Sequence, residues 1–209
     1  MYDLSNFRKN YSGKSLEINT MPPHPLEWFK YWFNDAVQNE WGEANAMIVS
    51  TTDNEGKPHS RVVLLKDFSE EGFVFFTNYE SQKGKQIDFN NTVALLFFWQ
   101  KLQRQVRIEG ITHKVSPQRS DEYFYSRPYE SQIAAMVSKQ SQILKSKTLF
   151  IQEYEKSLRE HQPIRPSHWG GYIVKPYYFE FWQGQPNRLH DRVSYRLENN
   201  NWIKYLLYP

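Results

Sequence analysis

The N-terminal third of the chain carries one stretch of helical periodicity. Pro25 stands at the favoured first helical position, and Leu26, Phe29, Phe33, Ala36 and Val37 follow at helical spacing, predicting a helix that ends near Gly42. Residues 1–23 ahead of it have weak periodicity and read as an extended arm. From Ala46 the period shortens. Segments 46–52, 59–67 and 73–77 read as three strands, separated by the turn signals Asp53-Asn54-Glu55-Gly56 and 69–72, and so as an antiparallel meander. Ser81 then caps a short helix reaching Asn90. Segment 93–99, apolar on both faces, reads as a buried strand, and 104–115 as the next. Ser116-Pro117 starts helical segments that fill much of 117–161, until Pro163 and Pro166 break the run. Strands resume at 171–182, 188–197 and 202–207. Six or more antiparallel strands in a short chain tend to close, because closure removes exposed edges. The expected fold class is mainly β with helices (α+β). It is a small β-barrel with helices packed outside and a helical insert at about 117–161, all in one domain over 1–209.

Composition narrows the chemistry. Aromatic residues make up 17% of the 209 positions, with seven Trp, 14 Tyr and 14 Phe. That enrichment leans toward β structure or flat-ligand sites, with core packing accounting for most of the rings. The absence of cysteine excludes disulfides, thiolate catalysis, iron–sulfur clusters and Cys-ligated zinc. The six histidines show no His-Glu-x-x-His or similar spacing, so no metal is expected, and no Gly-x-Ser-x-Gly motif points to a hydrolase. A net charge of +3 gives no reason to expect a nucleic-acid partner. With no basic-then-apolar leader pattern and no apolar stretch of membrane-span length, the expectation is a cytoplasmic protein without a membrane partner.

Five segments can carry chemistry. In Arg61-Val62-Val63-Leu64-Leu65-Lys66 two cations bracket an apolar strand. Their odd separation puts them on opposite faces of an ideal strand, so they reach one ligand only from different sides or across a bulge; solvated strand ends are the plain alternative. Thr77-Asn78-Tyr79-Glu80-Ser81-Gln82-Lys83 runs from a strand into a helix N-terminus, where free N–H groups and the helix dipole favour an anion. It reads as a phosphate cradle without a Walker or Rossmann pattern. Tyr123 to Pro128, with Arg127 and Ser131, offers donors for a second dianion, or is a helix end with its arginine in solvent. Lys139-Gln140-Ser141 reads as a polar surface turn. The most specific segment is 179–192. There Arg188, His190 and Arg192 lie two apart, so an extended strand projects all three onto one face, where they call for an anionic or aromatic partner. A structural His190, or an Asp191 paired with a neighbouring arginine, is the alternative.

Together these segments resemble the pyridoxamine 5′-phosphate oxidase family. Its signature is a Glu-Phe-Trp run, a spacer and Arg-Leu-His-Asp-Arg, and residues 180–192 fit it without a gap. Residues 61–66, Arg104-Gln105-Val106, 123–128, Ser131-Gln132 and Ser138-Lys139-Gln140-Ser141 follow the family in order, and the resemblance runs from about Phe7 to Pro209. It implies a split β-barrel homodimer with FMN at each of two sites formed between subunits. It also implies oxidation of pyridoxamine 5′-phosphate and pyridoxine 5′-phosphate to pyridoxal 5′-phosphate, with O2 as acceptor and H2O2 as product. The FMN contacts it implies are Arg61, Val62, Val63, Leu64, Leu65, Lys66, Phe76, Thr77, Gln82, Lys83, Gln105, Gln140, Ser141, Trp182 and Arg192. Lys66, Tyr123, Arg127 and Ser131 are implied for the substrate phosphate. Arg188 and His190, with Leu189 between them, are implied against the substrate ring as the catalytic pair. The arm at Arg8, Lys9, Asn10 and Tyr11 resembles the segment that folds over the occupied site. Two positions depart from the family: Gln82 stands where a second basic residue is common beside Lys83, which weakens the expected phosphate grip, and Phe76 replaces a frequent Tyr. One rival reading is a split-barrel flavin oxidase for another aromatic metabolite, which needs no phosphate cluster. Another is a non-enzymatic carrier or sensor of FMN or pyridoxal phosphate. A nucleic-acid stacking platform is more distant.

Overall fold

A computed structural model describes residues 2–7 and 10–209 and gives five α-helices and nine β-strands. Helix α1 (Pro25–Asn39) starts where sequence chemistry favours a start. Pro25 occupies its first turn, and the ring of His24 accepts the Leu26 N–H. Phe29, Trp32 and Ala36 form its buried face. The sequence pattern placed Phe29 and Ala36 on that face, but it also placed Val37 there, which is 60% exposed, and it omitted Trp32. Trp32 takes the centre instead, because burying an indole removes far more apolar area from water than burying a valine.

The strands are β1 (Ala46–Thr52), β2 (Pro58–Leu64), β3 (Asp67–Ser69) and β4 (Gly72–Asn78). Helix α2 (Gln82–Phe89) comes next, then β5 (Thr92–Trp99) and β6 (Arg104–Lys114). The helical segment expected after Ser116 comprises α3 (Pro117–Ser126), α4 (Tyr129–Val137) and α5 (Lys147–Glu160). The chain ends in β7 (Trp169–Gln183), β8 (Asp191–Glu198) and β9 (Asn201–Leu206). The strands hydrogen-bond in the order β2-β1-β5-β6-β7-β4-β3, with β8 pairing β7 and β9. The pairs β3–β4, β4–β7, β7–β8 and β8–β9 are antiparallel. The α+β class and the helical segments stand as expected, but the three segments read as a meander do not pair in succession: β2 pairs with β1, whereas β4 lies between β7 and β3.

Three further expectations are corrected. The strand expected over 59–67 ends at Leu64, and Leu65-Lys66 separate it from β3, so strand alternation does not govern Lys66. Strand β5 is not buried on both faces, since Phe98 is 54% exposed. The strand expected over 188–197 begins only at Asp191. Residues Pro186–Arg188 form a 3-10 turn, with Asn187 and Arg188 at φ of 56° and 62°. Pro186 has no N–H to give a ladder, and Asn187 is a residue type that tolerates the left-handed region. Arg188 and His190 therefore do not project with Arg192 from one strand.

The chain forms two compact units. The first comprises residues 1–49, 94–110 and 176–209, and the second 50–93 and 111–175. The core of the first is aromatic. Phe29 packs edge-on to Phe97 (ring centroids 5.2 Å apart), Trp32 on Phe181 (5.4 Å), and Phe181 on Tyr195 (5.8 Å). The Arg104 guanidinium lies 4.7 Å over the Trp32 ring and pairs with Asp35. The core of the second unit gathers Phe73, Phe75, Ile87, Phe124, Ile133 and Tyr172. Phe75 faces Tyr172 across the β4–β7 pair. Trp32→Ala is expected to cost roughly 3–5 kcal/mol, as for other buried large aromatics. The check is the urea unfolding midpoint with an unchanged slope, and a loss below about 1 kcal/mol would remove Trp32 from the centre of this core.

Candidate active site

The second unit contains a cleft of about 910 Å³. Its floor is built where β2 and β4 end and α2 begins. Ser81 caps α2 by accepting the Gly84 N–H, and the turn is so tight that a Cβ on Gly84 would fall 1.9 Å from the Tyr79 carbonyl oxygen. That packing buries the Lys83 ammonium, which donates to Thr77 Oγ1 (3.0 Å), Gln140 Oε1 (3.2 Å) and Ser81 Oγ (3.4 Å). Arg61 donates to Thr51 Oγ1 (2.7 Å), the His59 carbonyl (3.2 Å) and Gln86 Oε1 (3.1 Å). Every one of these acceptors is a neutral oxygen.

The second set of donors lies in the same cleft. Lys66 stands 5.9 Å over the Tyr123 ring, which stacks 4.0 Å from Phe76. Arg127 lies 4.7 Å over the Trp169 ring, and its Nη1 is buried without a hydrogen-bond partner. Ser131 lines the same cleft. Arg61, Lys66, Lys83 and Arg127 thus bring four cations to one cleft, and among the described residues no Asp or Glu lines it. The consequence is legible at Lys83. Burial, and then the Arg61 charge, lower its pKa to about 8 from the ordinary 10.5. Burial likewise lowers the pKa of Arg127. Such a cleft is built for bound negative charge.

The candidate residues divide between the two units. Arg61, Val62, Val63, Leu64, Lys66, Phe76, Thr77, Gln82, Lys83, Tyr123, Arg127, Ser131, Gln140 and Ser141 line the cleft. Leu65 does not line it; its side chain is buried. The segment read as a plain surface turn, 139–141, supplies Gln140 to Lys83 and holds Ser141 at φ 71°. Sequence reasoning passed over Trp169, which stacks under Arg127, and Gln86, which anchors Arg61; neither belonged to a recognisable motif.

Gln105, Trp182, Arg188, Leu189, His190 and Arg192 belong to the first unit, and none of them lines the cleft. Tyr11 sets its ring edge-on to Trp182 (5.7 Å) and to His190 (5.5 Å), and Trp182 lies 4.7 Å from His190. Asn10 is exposed, while Arg8 and Lys9 lie outside the described residues. His190 Nδ1 accepts the Gln185 N–H at 3.1 Å, so a neutral imidazole carries its proton on Nε2 and presents a donor there. Arg188 and Leu189 are exposed. Arg192 on β8 donates through Nε to the buried Glu180 carboxylate (2.9 Å) and through Nη1 to the Tyr208 carbonyl (2.9 Å). The Glu180 contact raises its pKa. Asp191 makes no ion pair with an arginine among the described residues; it accepts the Leu16 N–H and the Gln185 side-chain amide instead.

Comparisons with known proteins cover nearly the whole chain. A family model described as pyridoxamine 5′-phosphate oxidase matches residues 33–158, and one described as the pyridoxine 5′-phosphate oxidase C-terminal dimerisation region matches 169–209. The chain is 48% identical to the pyridoxine/pyridoxamine 5′-phosphate oxidase of Mannheimia succiniciproducens over 211 residues, covering 100% of both chains. It is 49% identical to that of Cytophaga hutchinsonii over 212 residues, covering 99% of each. Among solved structures it is similar to PhzG from Burkholderia lata in complex with tetrahydrophenazine-1-carboxylic acid. The TM-score there is 0.89 at 25% identity, over 95% of this chain and 100% of that one. An FMN-binding, pyridoxamine 5′-phosphate oxidase-related protein from Nostoc punctiforme shares the fold, with a TM-score of 0.72 at 15% identity over 90% of this chain and 100% of that one. The expected split β-barrel is the fold these neighbours share.

The depressed Lys83 pKa fixes a sign. The unfolded chain keeps this proton up to the ordinary lysine value, so the empty protein gains stability as pH rises from about 8 toward 10.5. Below 8 the full cost of the buried ammonium is present. A bound dianion offsets that cost and holds the proton on. Phosphate monoesters are dianionic above about pH 7. Affinity for one such as FMN is therefore expected to fall as pH rises through about 8. Calorimetric titration across that range is the check. Lys83→Met should lower affinity about tenfold or more and flatten the profile; an unchanged slope would assign the pH dependence to another group.

Proposed function

Because the chain belongs to the pyridoxamine 5′-phosphate oxidase family, we propose that it binds FMN and oxidises pyridoxamine 5′-phosphate and pyridoxine 5′-phosphate to pyridoxal 5′-phosphate. Dioxygen is the electron acceptor and hydrogen peroxide the product. A cytoplasmic location goes with this reading; no helix among the described residues is long and apolar enough to cross a membrane. The observation that carries the proposal is the cleft with four cations and no carboxylate among its described lining residues. It offers two groups of donors, and the reaction requires two phosphates, one on the cofactor and one on the substrate.

FMN fits the donors present. The buried Lys83 ammonium, Arg61, Thr77, Gln140 and Ser141 would hold its phosphate, and residues 62–64 line the same cleft. Gln82 adds a neutral donor there. When bound, FMN would supply the two-electron acceptor for oxidation at the substrate C4′ carbon, with dioxygen as the final acceptor. Lys66, Tyr123, Arg127 and Ser131 hold the substrate phosphate, with the unpartnered Arg127 Nη1 as a waiting donor. Anchoring that remote end fixes where C4′ sits, and orientation of this kind is worth several orders of magnitude in rate.

The remaining roles fall to the first unit. In a homodimer, the cleft of one subunit meets the 182–192 segment of its partner, which lies within the region matched as dimerisation. Arg188 covers the substrate ring, His190 donates a hydrogen bond through Nε2, and Arg192, Trp182 and Gln105 contact the flavin. The Arg192 guanidinium, oriented by Glu180, offsets negative charge that develops on the flavin.

A second reading keeps the fold and changes the substrate. The compound in the PhzG complex is a carboxylic acid whose name contains no phosphate. Peroxide formation by the FMN-loaded protein separates the two readings. Turnover of pyridoxamine 5′-phosphate with little or none of unphosphorylated pyridoxamine is expected. A flavin-loaded protein idle on both phosphorylated vitamers would remove the assigned substrate and keep the fold. Arg188→Ala is expected to lower kcat/KM by about 100-fold or more, on the scale of losing one charge-assisted contact used in the transition state, with FMN content unchanged. Normal turnover by that variant would take Arg188 out of the reaction.

A further inference from the structure

The loop carrying Arg188 and His190 holds a conformation that it would not keep alone. Asn187 and Arg188 are consecutive left-handed residues, at φ of 56° and 62°. Residues other than glycine persist in that region where their surroundings over-determine them. The surroundings here are specific. The Leu189 N–H donates to the Pro186 carbonyl at 3.1 Å, and the Gln185 N–H donates to His190 Nδ1 at 3.1 Å. The Gln185 side-chain amide donates to Asp191 Oδ2 at 2.7 Å. The same Oδ2 accepts the N–H of Leu16 at 2.9 Å, from a residue 175 positions away in sequence.

The N-terminal arm meets this loop at further points. Gly13 N–H donates to the Gly184 carbonyl (3.1 Å), and Ser12 N–H to Gln103 Oε1 (2.8 Å). The approach is close enough that a Cβ on Gly13 would lie 2.6 Å from the Gly184 oxygen, and one on Gly184 would lie 2.9 Å from the Tyr11 ring. Of all these contacts, Asp191 alone offers one charged atom to both partners at once. A carboxylate oxygen that accepts two N–H groups holds each more firmly than a neutral acceptor does.

We propose that Asp191 is a positioning residue whose carboxylate ties the N-terminal arm to the 185–190 loop, so that docking of the arm and presentation of Arg188 and His190 stand or fall together. This rests on the reading of Arg188 and His190 as substrate-facing residues. Asp191 touches neither substrate nor flavin in this assignment; it acts through the loop.

Hydrogen exchange on the FMN-loaded protein tests it. Asp191→Ala is expected to speed exchange about tenfold or more, as for loss of hydrogen bonds to a charged group, in two segments together: arm amides 11–16 and loop amides 185–190. Exchange in β4 and α2 should stay at the wild-type level, and kcat/KM for pyridoxamine 5′-phosphate should fall at least about tenfold. Leu16→Pro deletes the arm's donor and leaves Asp191 in place. It is expected to loosen the 185–190 loop as well and to lower kcat/KM, and it decides the question even if Asp191→Ala does not fold. Faster exchange in one segment alone, or a Leu16→Pro protein with wild-type loop exchange and kinetics, would overturn the proposal. If the wild-type protein does not turn over pyridoxamine 5′-phosphate, the functional reading fails, while the paired exchange still decides whether Asp191 joins arm to loop.

Discussion

Like charges repel, and a cleft that collects Arg61, Lys66, Lys83 and Arg127 with no described acidic residue on its lining must be held together by everything around it. The second unit does so with neutral oxygens. Thr51 and Gln86 orient Arg61, and Thr77, Ser81 and Gln140 orient Lys83, without adding a charge that a ligand would have to displace. Trp169 supports Arg127 through its ring face, and Arg127 Nη1 is left buried and unpartnered. Burying these cations without a carboxylate costs stability in the empty protein. The Lys83 pKa near 8 is the visible part of that cost, and by linkage an arriving dianion recovers it as binding free energy.

The first unit solves the opposite problem. Three of its arginines are paired with carboxylates: Arg104 with Asp35, and both Arg107 and Arg192 with the buried Glu180. Glu180 is 2% exposed and accepts from two guanidinium groups and the Tyr178 hydroxyl, so its burial is compensated. Held in this way, Arg192 is a fixed donor. One chain thus carries two kinds of arginine, one kept short of negative charge to receive an anion and one saturated to hold a geometry.

Much of this was legible in the sequence because it depends on local chemistry. Pro25 and Ser81 started helices where expected, the turn signals at 53–56 and 69–72 separated strands, and the cations of the cleft stood out as residue types. What was hidden depends on long-range contact or on backbone that breaks a period. Alternation put Arg61 and Lys66 on opposite faces, but β2 stops at Leu64, and both line one cleft. The same rule aligned Arg188, His190 and Arg192, and a turn with two left-handed residues replaced that strand. Trp169, Gln86 and Gln140 act through partners 25 to 63 residues away or through stacking, for which a single chain gives no periodic signal.

The failures of periodicity also fall where the chemistry is. A regular strand through 185–192 would have satisfied its own backbone and needed no other segment. The turn observed leaves Arg188 exposed on strained backbone and draws on Gln185, Asp191 and the arm to hold it. Strain supported by contacts distant in sequence lets one segment respond to another, which a self-sufficient strand cannot do. In the cleft the break after Leu64 likewise frees Lys66 from the ladder's alternation. Regular structure in this chain positions the elements, and the interruptions aim the side chains.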